Sequence, residues 1–228
     1  MGLGGDLIYS AAIREIKESN PGKRIYLFDK NEMPWAPRLA SKFLDKPRFS
    51  LNPSPVFKNN PHLSQGLIAR RNSIVIDASD PALSYVEEVL ADQVIWKIGR
   101  HAVEIICEKF GVQPRSLKPS IFFDDGERRK FYQKSRHIPD RFVVVEPNGK
   151  TDFFSENRMW WLERWQQMVD GLCRFVPVVQ IGDGTGVNLR NVICLNGKVT
   201  FREAGILLES ALGFVGTIGG SMHLARAV

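Results

Sequence analysis

The sequence predicts an α/β protein with parallel sheets, arranged as two Rossmann-like domains with a cleft between them, the second of them incomplete. Three observations carry that expectation. Short apolar strands alternate with amphipathic helices along the 228 residues, as βαβ units require. The alternation restarts after a Pro/Asp hinge, Ile138-Pro139-Asp140. Gly-rich turns open helices, and after a strand this aims backbone N–H groups and the positive helix end at one place. The expected domains are residues 1–138 and 139–228.

Taken in order, a Gly-rich turn opens a helix over 4–18, with Leu7, Ile8, Ala11, Ala12 and Ile16 on one face, and Pro21-Gly22 stops it. Residues 24–28 read as a strand, 37–45 as a helix, 52–61 as a Pro/Asn-rich loop and 73–77 as a second strand. Helices are expected over 86–94 and 102–110, a strand-like segment over 120–123, and a charged, exposed helix over 125–136. Beyond the hinge come strands over 141–146, 176–181, 191–195 and 212–216, with helices over 160–172 and 201–211. A turn over 217–221 then leads into a helix from Met222. No strand precedes the first Gly-rich turn, and Val228 falls within the last helix. The expectation is therefore a chain that is truncated or unusually short at both ends, a fragment or a shortened relative.

Apolar residues make up 43% and charged residues 25% of the chain, enough for a real core. No run approaches the ~18–20 apolar residues of a membrane span, and no charged n-region with an apolar stretch marks a secretory signal. Cys107, Cys173 and Cys194 are widely spaced in apolar segments, which predicts buried free thiols in a reducing, cytoplasmic compartment. The net charge of +6 and a pI near 9.3 fit a solvated basic surface, a phosphate-bearing substrate, or peripheral attraction to an anionic membrane face. No aromatic-interleaved basic stripe accompanies the charge, which argues against nucleic acid.

The most informative segment is Thr217-Ile218-Gly219-Gly220-Ser221-Met222-His223. Here a buried strand feeds a glycine turn into a helix start, and His223 sits in the first turn where it can donate to a phosphate or sugar oxygen. Asp6 follows Gly4-Gly5 and is either a helix N-cap or a carboxylate presented beside a ligand. Lys150, just past the strand 141–146, is either a solvated turn residue or a phosphate contact at the carboxyl end of a strand. Arg158 precedes a Trp-rich helix and suits bidentate phosphate binding. Trp161 and Trp165 share a face of that helix and read as core. Glu203 complements the dipole of its helix or accepts a ribose hydroxyl. Gly182-Asp183-Gly184-Thr185-Gly186 is a plain turn or a phosphate loop. No Cys/His grouping has metal-ligand spacing, and neither a P-loop nor a GxSxG motif is present.

Four ordered stretches resemble glycosyltransferase family 9, the ADP-heptose:lipopolysaccharide heptosyltransferase group. They are Gly4-Gly5-Asp6 with its helix to Arg14; Arg158-Met159-Trp160-Trp161-Leu162-Glu163-Arg164-Trp165; Gly197 to Glu203; and Phe214 to Val228. The resemblance implies a GT-B architecture, with acceptor on the first domain and nucleotide-diphospho-sugar on the second. It implies inverting transfer of a heptose-like sugar to a bacterial surface glycan, with neither cofactor nor metal. Asp6 would be the general base. Lys150, Arg158, Glu203, Gly219, Gly220, Ser221 and His223 would hold the donor. The chain departs from the family pattern in two places. Ile218-Gly219 stands where the family has Asp followed by Thr or Ser, and Arg158 stands for Lys. Those departures leave a second reading open, a non-catalytic nucleotide-sugar or phosphate-binding module.

Overall fold

The computed structural model describes residues 2–28, 54–64, 71–83, 86–90, 93–96, 99–148 and 160–228. Residues group into two compact units, one of 5–122 and one joining 1–4 to 123–228. The expected helix over 37–45 lies outside the described residues.

In the first unit, helix α1 (Leu3–Ser19) buries Leu7, Tyr9, Ala11, Ala12, Ile13 and Ile16. The helix starts at Leu3, so Gly4 and Gly5 lie inside its first turns and no turn precedes Asp6. Strands β1 (Arg24–Phe28) and β2 (Ser73–Asp77) pair in parallel with Ile25 opposite Ile74 and Leu27 opposite Ile76. Residues 86–90 and 93–94, expected to be helical, are strand. β3 (Val86–Leu90) and β4 (Gln93–Trp96) form an antiparallel hairpin with Val89 opposite Val94. Branched Val and Ile fit the pleat and its cross-strand pairs better than a helix turn. Helix α2 (Ala102–Glu108) opens with a capping box: His101 Nδ1 accepts from the Val103 N–H, and Glu104 accepts from the His101 N–H.

The segment 120–123 forms no strand. Ser120 gives its N–H to Ser10 Oγ at 2.9 Å instead of to a strand neighbour, and Ile121 and Phe123 are nonetheless buried. Glu15 anchors the preceding turn by accepting the Arg115 N–H at 2.8 Å.

The second unit is a parallel sheet in the order β7-β6-β5-β8, from β5 (Val143–Glu146), β6 (Val178–Gln180), β7 (Ile193–Cys194) and β8 (Gly213–Gly216). The Val-rich strands match the both-faces burial of a parallel sheet. Helices α3 (Asp125–Lys134), α4 (Leu162–Leu172), α5 (Phe201–Ser210) and α6 (Gly220–Ala227) complete it. Its core joins Val145, Trp165, Val169, Val178 and Leu189. Gln180, fully buried beside them, satisfies both ends of its amide on Val187 O and the Leu189 N–H.

The grouping places residues 123–138 with this unit, where the sequence pattern puts the division at 138. Three ion pairs tie α3 to α5: Arg202 to Glu127 at 2.7 Å, Arg128 to Glu209 at 2.9 Å and Lys134 to Glu203 at 3.0 Å. Both guanidinium groups also lie over the Phe123 ring, at 4.8 and 5.6 Å from its centre. These contacts cross the linear hinge and are invisible to a local pattern.

Trp161 is 73% exposed; Trp160 is the residue that meets Trp165, edge-on at 5.4 Å. Of the three free thiols only Cys107 is buried, and burial pushes it up to about 12. Cys173 and Cys194 are half-buried and donate to Asn191 O and Asn188 Oδ1. Among the described residues, no helix is long and apolar enough to cross a membrane.

Candidate functional site

The carboxyl ends of β5, β6 and β8 carry two Gly-rich turns, and this edge is where open α/β sheets place ligands. The turn after β8 is the open one. Thr217 continues the pairing by donating its N–H to Glu146 O at 3.3 Å, Ile218 projects at 62% exposure, and Gly219 caps α6. The helix begins at Gly220, so Ser221 lies in its first turn and not in the turn before it. Among the described residues no side chain caps this end, and a side-chain carbon at Gly219 would meet nothing within 4 Å. The first N–H groups of α6 therefore front an open space, with the positive end of the helix behind them.

Gly4 closes one flank of this turn. A Cβ there would lie 3.3 Å from His223 Cδ2 and 3.7 Å from Gly220 Cα, tight enough that His223 would have to shift. The start of α1 and the start of α6 thus lie side by side, with His223 against both. Gly219, Gly220, Ser221 and His223 follow one another along the cap and first turn of α6.

The turn after β6, residues 182–186, is filled. Asn148 exchanges two hydrogen bonds with Val187, donating to its carbonyl at 3.3 Å and accepting its N–H at 3.0 Å. Asn196 Oδ1 takes the Gly184 N–H at 2.9 Å. Gly184, at φ +92°, packs directly on Gly197. The asparagines consume the donors that a phosphate loop would offer, so the plain-turn alternative describes this segment.

Glu203 completes a capping box with Thr200: its carboxylate accepts the Thr200 N–H at 2.8 Å and its own N–H donates to Thr200 Oγ1 at 3.2 Å. Lys134 Nζ pairs with the same carboxylate at 3.0 Å. Burial alone would raise this acid, but the Thr200 N–H, the Lys134 ammonium and the Thr200 hydroxyl hold it below the usual range.

Asp6 belongs to the other unit. It is 2% exposed, and Ser54 Oγ donates to its Oδ2 at 2.6 Å. It is no N-cap, since the helix begins three residues earlier. The hydroxyl fixes the plane of its carboxylate. Lys150 and Arg158 lie outside the described residues.

Glu146, which sequence patterns did not single out, ends β5 half-buried. Burial raises its carboxyl, a hydrogen bond with Ser221 opposes that, and the Asp183 charge adds to the rise, leaving it at about 7. The signal available was an acid closing a Val-Val-Val run at the carboxyl end of a parallel strand.

The fold defines a class: an α/β protein of the GT-B kind, shared with glycosyltransferase family 9. The chain superposes on a family 9 glycosyl transferase from Veillonella parvula with TM-score 0.66 and 13% identity, covering 99% of this chain and 75% of that one. Against ADP-heptose lps heptosyltransferase II of E. coli the values are 0.52 and 11%, over 98% and 78%. Against the iron-containing dodecameric glycosyltransferase TibC of enterotoxigenic E. coli they are 0.57 and 15%, over 100% and 54%. No family model and no curated protein matches the chain.

Proposed function

We propose that this chain is an inverting glycosyltransferase that moves a heptose-like sugar from a nucleotide-diphospho-sugar to a hydroxyl of a bacterial surface glycan such as lipopolysaccharide core. The observation that carries the reading is the open Gly219–Gly220 turn at the start of α6, with His223 beside it, at the strand edge of a fold shared with glycosyltransferases.

In this reading the acceptor oxygen attacks the anomeric carbon as its bond to the diphosphate breaks, and the acceptor proton passes to the Asp6 carboxylate. Ser54 holds that carboxylate in one orientation. The leaving diphosphate gains negative charge, which the Gly220 and Ser221 N–H groups, the α6 dipole and His223 stabilise. Glu203 accepts a ribose hydroxyl while keeping its cap, Lys150 and Arg158 supply further charge to the phosphates, and no step runs through a metal or cofactor. The acceptor glycan places the chain at the cytoplasmic face of an anionic membrane, where its charge of +6 favours peripheral contact.

The test is sugar transfer and nucleoside diphosphate release with nucleotide-sugars and a lipopolysaccharide core acceptor. Asp6→Asn should lower kcat by roughly 10²–10⁴-fold, the usual share of a general base, while donor affinity stays within about threefold. Transfer by Asp6→Asn within twofold of the parent would remove Asp6 from this role.

The exposed Ile218, in place of an acid, favours a second reading. A non-catalytic nucleotide-sugar-binding module would bind a nucleotide-sugar saturably and release no sugar above background.

A further inference from the structure

The first unit carries a cleft that the transfer chemistry above leaves without a task. It lies beside α2 with a volume of about 470 Å³, within the ~300–1,000 Å³ usual for small-molecule sites. Among the described residues it is lined by Arg100, Glu104 and Glu108 and by the turn over 111–114. The spacing of four puts Glu104 and Glu108 on one face of α2, while Val103, Ile105, Ile106 and Cys107 bury the rest of the helix. Past its end the chain doubles back: the Gly111 N–H donates to Glu108 O at 2.9 Å and the Val112 N–H to Cys107 O at 3.1 Å. Gly111 turns at φ +66°, a conformation that favours glycine, and a side-chain carbon there would meet nothing within 4 Å. The missing side chain keeps the cleft open.

The hydrogen bonds sort what the cleft can offer. Arg100 gives one N–H to Glu108 Oε2 at 2.7 Å, and Glu104 Oε2 accepts the His101 N–H at 2.8 Å. Each carboxylate keeps a second oxygen, the guanidinium keeps further N–H groups, and the Gln113 amide makes no hydrogen bond among the described residues. Two carboxylates against one guanidinium repel a phosphate or any other anion. The guanidinium in turn opposes a simple cation. A ring of neutral hydroxyls suits both, because each hydroxyl can donate to a carboxylate oxygen and accept from an N–H. Val112 and Pro114 add apolar surface for the C–H face of such a ring.

We propose that this cleft is a carbohydrate subsite that holds one uncharged sugar residue of a glycan by its hydroxyls. The glycosyltransferase reading supplies the glycan, an arm of the acceptor, and to that extent the proposal rests on it. The cleft itself needs neither the open turn nor Asp6.

The experiment is an amide NMR titration of the 228-residue chain, without donor, with the methyl glycosides of glucose, mannose and galactose. Glucose 6-phosphate and glucosamine, the latter in mild acid where its amine is charged, are the anionic and cationic counterparts. At least one neutral glycoside should shift the Gly111, Val112 and Gln113 signals saturably at millimolar concentration, and both charged sugars should bind more weakly. Glu104→Gln keeps an oxygen for the His101 N–H, and with it the helix cap, but replaces a cleft acceptor by a donor. Its Kd should rise about tenfold. Arg100→Ala, at an exposed position, should abolish the shifts. Shifts centred elsewhere, parent-like binding by both variants, or no response to any sugar overturns the subsite. A stronger response to either charged sugar than to all three neutral ones overturns the ligand class. Transfer is read separately: transfer without binding here removes the subsite and keeps the function above, and binding here without transfer does the reverse.

Discussion

Two glycine-rich turns sit on the same edge of the same sheet, and they have opposite fates. The turn over 182–186 is filled by Asn148 and Asn196, which occupy the space its glycines leave, and Asn196 takes the Gly184 N–H, Asp183 the Thr185 N–H and Asn148 the N–H of Val187 just beyond. Among the described residues, the turn over 217–219 leaves open space at Gly219, where a side-chain carbon would meet nothing within 4 Å, and the helix it opens has no side-chain cap. In the first, absent side chains make room for other parts of the protein; at Gly219 in the second, they leave open space among the described residues. A glycine count cannot separate the two. What separates them is whether another part of the chain has already spent the backbone donors.

Exchanging the qualities of the two turns breaks the comparison most directly. Gly184→Val places a branched side chain at φ +92° with its Cβ 3.1 Å from Gly197 Cα, and should cost about 3 kcal/mol in denaturant unfolding through combined strain and overpacking. An unchanged midpoint would mean that this turn is not packed as described. Gly219→Leu meets open space on an extended backbone, so its thermal unfolding should match the parent. Its nucleotide-sugar affinity should fall about a hundredfold, because the side chain covers the α6 N–H groups; equal affinity by calorimetry would place the donor elsewhere. The smallest effect comes from Asn196→Ala, which frees the Gly184 N–H and leaves Asn188 Oδ1 with the Cys194 thiol as its donor. On a solvent-exposed loop that is worth about 1 kcal/mol, again read from the unfolding midpoint.

Much of the fold was legible because its elements carry local signatures. The Val-rich runs of β5 and β6 announce strands buried on both faces. Asp124 with Glu127 and Thr200 with Glu203 start their helices through capping boxes that depend on a spacing of three. The hairpin over 86–96 was not legible, because its Glu-containing stretch suits a helix until the opposite strand is supplied. Trp161 is not core because α4 starts at Leu162, leaving it outside the helical register. The candidate site divides in the same way. Its glycine turn and His223 stand together in sequence and were readable. Glu146 was not, since its character comes first from burial in the folded chain, then from Ser221, seventy-five positions on (221 minus 146), and Asp183, thirty-seven on (183 minus 146).

The packing of Gly4 against Gly220 and His223 also bears on how the molecule assembles. Residues 1–4 group with 123–228, so Gly4 must wait for Gly220, 216 residues later in synthesis (220 minus 4), before it can settle against it. At elongation rates of roughly 5–20 residues per second that wait lasts roughly ten seconds or more. Closing so long a loop is also among the slower events in a fold. The first turn of α1 should accordingly be the last part of that helix to gain hydrogen-exchange protection during refolding, with the open turn becoming competent only at that step.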